Sequence, residues 1–124
     1  MAYVYYNPNP KGKSSLDCTV RAISAVTNQS WDDSYIELCS AGLMVKNMPS
    51  TNDALDYCLA QRGFTKHFCE GCKTIEEFSN NNPDGIYVLM TGTHVVAVKF
   101  GNFYDALNTG METPLYYYVK EKGD

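Results

Sequence analysis

Hydrophobic residues recur with two different spacings along this 124-residue chain, and the change falls near Gly85. Tyr3 to Tyr6 predicts a short edge strand, followed by a Pro/Gly-punctuated loop over residues 7–13. A helix is expected from Asp17 or Cys18 to about Thr27. Its apolar body is Val20, Ala22, Ile23, Ala25 and Val26, with Asp17 as N-cap. Ser30, followed by Asp32 and Asp33, reads as the next helix start. Trp31, Tyr35, Leu38 and Cys39 then fall on one helical face, and Ala41-Gly42 closes it. Met44 to Met48 reads as a connector. A third helix starts within Pro49–Asp53, buries Leu55, Cys58 and Leu59, and ends before Gly63 as the C′ residue. Phe64 to Phe68 is a candidate strand, and Thr74 to Phe78 a short capped helix. Beyond Gly85 the pattern is β-branched and aromatic, predicting strands over 85–90, 94–100, 103–107 and 115–120.

Helices first and strands second give an α+β class rather than βαβ repetition. A single domain over 1–124 is expected, with a helical part at about 14–80 packed on an antiparallel sheet at about 84–121. Hydrophobic residues make up 44% and charged residues 19%, which excludes a disordered chain. Six of the ten tyrosines cluster at the two ends (Tyr3, Tyr5, Tyr6; Tyr116, Tyr117, Tyr118); paired strands account for that, and a peptide-binding aromatic surface is the sharper alternative. The net charge of −4 comes with no basic run, so nucleic acid is not an expected partner. No apolar stretch suggests a membrane span or a signal peptide. The five cysteines are an odd set, as free thiols in a reducing compartment would be. The expected location is cytoplasmic, as a monomer or small homo-oligomer.

Cys18 stands where a polar loop becomes a helix. Unpaired N–H groups and the positive end of the helix dipole favour a thiolate there, while the neighbouring Asp17 carboxylate opposes it. His94 opens an otherwise apolar strand, a costly place for a titratable ring without a partner or a task. A tight Gly101-Asn102 turn would set Phe100 opposite Phe103, Asn108 opposite Val95 and Thr109 opposite His94. Asp105 would then lie opposite Val98, roughly 13 Å along the strand from His94. That register favours Asn108 as the residue orienting His94; a looser turn or a bulge would favour Asp105.

The pieces Asp17-Cys18-Thr19-Val20-Arg21-Ala22-Ile23, Thr93-His94-Val95-Val96-Ala97-Val98 and Leu107-Asn108-Thr109-Gly110 occur in the order Cys, His, Asn/Asp. This order resembles the papain-like cysteine peptidase superfamily, at the scale of its minimal bacterial and phage members such as bacteriocin-leader peptidase domains. The resemblance implies a helical subdomain against a sheet, with the site in the cleft between them. It also implies Cys18 as nucleophile, His94 as general base and then acid, and Asn108 or Asp105 as orienting residue. The peptide N–H of Cys18 would supply half of the oxyanion hole. No Gln precedes Cys18 in the stretch where the family places one, so Asn9 or Asn7, or the hydroxyl of Ser14 or Ser15, would supply the other half. The implied substrate is a peptide or isopeptide bond in a peptide or protein, with no cofactor and no metal. Deamidation or acyl transfer by the same residues, and a non-catalytic binding protein of phage type on the same fold, are the alternatives. His67-Phe68-Cys69-Glu70-Gly71-Cys72 holds a CxxC, read by default as a surface loop with two thiols, with a partial zinc site or a redox pair as sharper readings.

Overall fold

Val95-Val96-Ala97-Val98 is apolar at every position, the pattern of a strand covered on both faces. In the computed structural model, which describes residues 3–13 and 16–120, all four are buried. The elements run β1 (Tyr3–Tyr5), α1 (Cys18–Thr27), α2 (Trp31–Val45), α3 (Asn52–Gln61), β2 (Phe64–Phe68), α4 (Ile75–Asn81), β3 (Ile86–Met90), β4 (Val95–Lys99), β5 (Asn102–Asp105) and β6 (Tyr116–Lys120). The fold is α+β: four helices and one six-stranded sheet of order β1-β5-β4-β3-β6-β2.

The sheet is mixed, and it draws on more of the chain than the C-terminal third. β1 pairs in parallel with β5, and β2 pairs antiparallel with β6, so the expected division into a helical first part and an antiparallel second part does not hold. The tyrosines of the two chain ends lie in strands that do not pair with each other. Those of β1 border β5, and those of β6 lie between β3 and β2.

Alternation along the central strands feeds two cores. Val88, Met90, Val95 and Ala97 join Ile23, Leu55 and Leu59 of the helices on one face. Leu89, Val96, Val98 and Phe103 join Ile75 of α4 on the other. α1 lies across β4, with β5 and β3 beside it. Ile23 is wholly buried there, worth about 1.5–3 kcal/mol for such a side chain.

Local signals set the helix ends. Ser30 and Thr74 accept hydrogen bonds from the backbone N–H of Asp33 and Glu77, both at 3.1 Å. α2 does not stop at Gly42 but continues to Val45, ending where Lys46 turns left-handed at φ 60°. Gly42 is there for close approach: a Cβ would stand 2.6 Å from the Asn47 carbonyl oxygen. Among the described residues, no helix is long and apolar enough to cross a membrane.

The β4–β5 hairpin turns one residue earlier than expected. Phe100 and Gly101 are its central pair, at φ 50° and 84°, the positive values that a type I′ turn requires at both positions. Lys99 therefore faces Asn102, and Ala97 faces Tyr104. One more step places Asp105 opposite Val96, two residues from His94 rather than four.

Candidate active site

Cys18 is the first residue of α1 and is only partly buried. Asp17 occupies the N-cap position as expected, but its side chain makes no capping bond. The carboxylate is committed elsewhere: Oδ1 accepts from Arg21 Nη1 at 2.5 Å, and Oδ2 from Trp31 Nε1 at 2.8 Å. The α1 end is left open to the thiol. Burial pushes the Cys18 thiol up, but the hydrogen bond with His94, the Val95 N–H and the charges of His94 and Arg21 outweigh it. The net shift is below the ordinary thiol value.

His94 stands just before β4, in a turn closed by the Thr91 N–H on the His94 carbonyl at 2.9 Å. Its Nε2 donates to Asp105 Oδ2 at 2.6 Å, which leaves Nδ1 for Cys18. The Asp105 hydrogen bond, followed by that with Cys18, overrides burial and raises the ring to about 10. At neutral pH the ring is therefore an imidazolium, and its charge favours the thiolate form of Cys18.

Asp105 ends β5 and is fully buried. Besides His94, it accepts from Thr109 Oγ1 at 2.8 Å and the Ala106 N–H at 2.7 Å, and it pairs with Arg21 Nη2 at 3.1 Å. Burial alone would raise its carboxyl; the His94 and Thr109 hydrogen bonds and the His94 charge bring it below the usual carboxylate value. Its own carbonyl is held by the Tyr6 N–H at 2.8 Å and the Tyr3 hydroxyl at 3.1 Å. The strand next to β5 thus clamps this residue from the side.

Together these groups form a chain of alternating charge: Cys18, His94, Asp105, Arg21, Asp17. Each buried carboxylate is matched by a cation, as burial demands, and the Trp31 indole N–H closes the far end. Arg21, Thr109 and Trp31 did not emerge from the sequence as site residues. The Asp17/Arg21 spacing of four was the one visible signal, since it puts both on one helix face. Asp17, expected to oppose the thiolate, is neutralised by Arg21 and turned away.

The tight-register choice of Asn108 is corrected by the turn at Phe100-Gly101. Asn108 is exposed, and its carboxamide oxygen accepts from the Gly110 N–H at 2.9 Å. Asn9 and Asn7 shape their own loop: Asn9 Oδ1 accepts from the Lys11 N–H at 2.9 Å, and Asn7 Nδ2 donates to the Lys13 carbonyl at 3.3 Å. Ser14 and Ser15 lie outside the described residues. Cys58 is a core thiol pushed up to about 12 by burial and by the Glu37 carboxylate beside it. Among the described residues, no group of three or more His, Cys, Asp or Glu is placed to hold a metal ion.

Beside the start of α1 lies a mostly apolar cleft of about 340 Å³, bordered by Leu16, Asp17, Thr19, Trp31, Tyr35 and Pro49. Trp31 and Tyr35 stack on its wall with ring centroids 5.1 Å apart. No family model, curated protein or solved structure matches this chain.

Proposed function

We propose that the chain is a papain-like thiol hydrolase acting on a peptide or isopeptide bond. One observation carries the reading: His94 Nε2 is bonded to the buried Asp105 carboxylate at 2.6 Å, and the same ring adjoins the Cys18 thiol and lowers it. In this reading Cys18 Sγ attacks the scissile carbonyl and the tetrahedral oxyanion meets the Cys18 peptide N–H. The His94 imidazolium gives its proton to the leaving amine. It then takes a proton from the water that opens the thioester, and the Cys18 thiolate is restored. Asp105 keeps the ring oriented throughout and matches its positive charge whenever the ring is protonated. The apolar cleft beside the start of α1 suits an apolar or aromatic substrate side chain.

The test is incubation of the full chain with a complex mixture of peptides, reading new termini by mass spectrometry. New termini should appear with the native chain and vanish in both Cys18→Ala and His94→Ala. Identical products from native and Cys18→Ala protein would overturn the reading. Release of ammonia without new termini would assign the same residues to deamidation instead.

A further inference from the structure

The hydrolase reading leaves a closely spaced pair of thiols unused. Cys69 and Cys72 flank Glu70-Gly71, where the chain bends, and Gly71 takes a left-handed φ of 76° that glycine adopts without steric cost. The two thiols are near enough for Cys72 to help push the Cys69 thiol up. Both are free and neither is fully buried. Both open onto one depression of about 420 Å³, shared with Lys73, Glu77, Asn81 and Tyr117. The near side is fixed, because the Cys69 N–H donates to the Leu115 carbonyl at 2.9 Å. Gly71, between the two, faces open space: nothing lies within 4 Å of where its Cβ would stand. Cys69 is therefore anchored through its backbone, and Cys72 follows an uncrowded bend.

We propose that Cys69 and Cys72 form a thiol–disulfide exchange site that takes a low-molecular-weight disulfide, such as glutathione disulfide, and closes to an intraloop disulfide. Cys72 reacts first. It loses its proton to solvent, and its sulfur attacks one sulfur of glutathione disulfide. A Cys72–glutathione mixed disulfide forms and one glutathione thiolate leaves. Cys69 is held back at this stage: burial, the hydrogen bond with Cys72 and the Cys72 charge push it up to about 12. The last two causes disappear once Cys72 is capped. Cys69 then releases its proton to solvent and attacks the Cys72 sulfur, expelling the second glutathione thiolate. Two protein thiols are oxidised by two electrons, and one small disulfide is reduced to two thiols.

The full-length chain allows a direct test in buffers of varied glutathione to glutathione disulfide ratio, quenched with acid and digested with trypsin. Lys66 and Lys73 place both cysteines in one peptide, residues 67–73, apart from Cys18. In oxidising buffer this peptide should lose two hydrogens and recover them on reduction. In Cys69→Ser, where no resolving thiol remains, it should instead carry one stable glutathionyl group on Cys72. The proposal fails if the native peptide keeps both thiols while the Cys18 peptide is modified. It fails equally if the native chain holds the mixed disulfide as stably as Cys69→Ser does. Neither outcome depends on hydrolase activity, so this inference stands or falls apart from the proposed function.

Discussion

Replacing Asp105 by Asn keeps the shape of the buried side chain and removes its charge. His94 is raised from 6.5 to about 10, and the Asp105 hydrogen bond is the largest cause. At about 1.36 kcal/mol per unit this is on the order of 5 kcal/mol, shared between Asp105 and Cys18. Without the carboxylate the ring falls back toward its ordinary value, and Cys18 loses part of the imidazolium charge that lowers it. A thiol at its ordinary value of ~8.5 is about 1% ionised at pH 6.5. Alkylation of Cys18 by iodoacetamide at pH 6.5 should therefore slow by up to about a hundredfold relative to a fully ionised thiol. Tryptic cleavage at Lys13 and Arg21 isolates Cys18 on its own peptide, so its rate can be followed against the other four cysteines. Arg21 retains Asp17 at 2.5 Å, so the variant should still fold, losing about 1–3 kcal/mol for its disturbed buried hydrogen bonds. Asn108→Ala is the control and should leave the pH profile untouched. An Asp105→Asn protein that is folded by circular dichroism and alkylates at the native rate would refute the linkage of Asp105 to Cys18 through His94.

Other expectations bear on stability. A raised histidine contributes stability that is fully present below its unfolded value of ~6.5 and lost as pH rises through its folded value, about 10 for His94. In a Cys18→Ser background, which removes the Cys18 share of that rise, thermal melts should show a Tm that falls as pH climbs above ~6.5, with the fall complete before about pH 10, and adding His94→Gln should flatten it. Gly42→Ala, which helix propensity alone would make stabilising by about 1 kcal/mol, should instead cost about 1–3 kcal/mol in urea unfolding, because its Cβ meets the Asn47 carbonyl. Arg62 donates to both Glu37 oxygens, at 2.7 and 2.6 Å, and to Gln29 Oε1 at 3.1 Å. Arg62→Ala should cost about 1–2 kcal/mol in the same assay, with Glu37→Gln milder.

The helix starts at Ser30 and Thr74 were legible because capping is a local interaction. Cys18 and His94 were legible for a related reason: a thiol opening a helix and an imidazole opening an apolar strand stand out against their neighbours. The choice between Asp105 and Asn108 was not, since it depends on one residue in a turn. Placing Phe100 rather than Asn102 in the central pair shifts the register by two and moves Asp105 beside His94. A non-glycine residue at φ 50° is an unusual occupant, so turn propensity pointed one residue too far. The Asp17–Arg21–Asp105 bridge was hidden by distance along the chain. Helix geometry brings Arg21 to Asp17, but only the completed sheet brings Asp105 to Arg21. The parallel placement of β1 against β5 was hidden in the same way, because neither strand carries a local mark of the other.

That last pairing has a consequence for the order in which the molecule is made. Tyr3 bonds to a strand 100 residues away, and the carbonyl it holds belongs to Asp105. Such non-local pairings incur their loop-closure entropy before any contact compensates for it. Synthesis runs from the N-terminus, so Cys18 leaves the ribosome long before His94 and Asp105 exist. Until then it is an ordinary thiol with no base beside it. Reactivity is thereby tied to completion: a truncated or half-made chain carries the cysteine but not the means to ionise it.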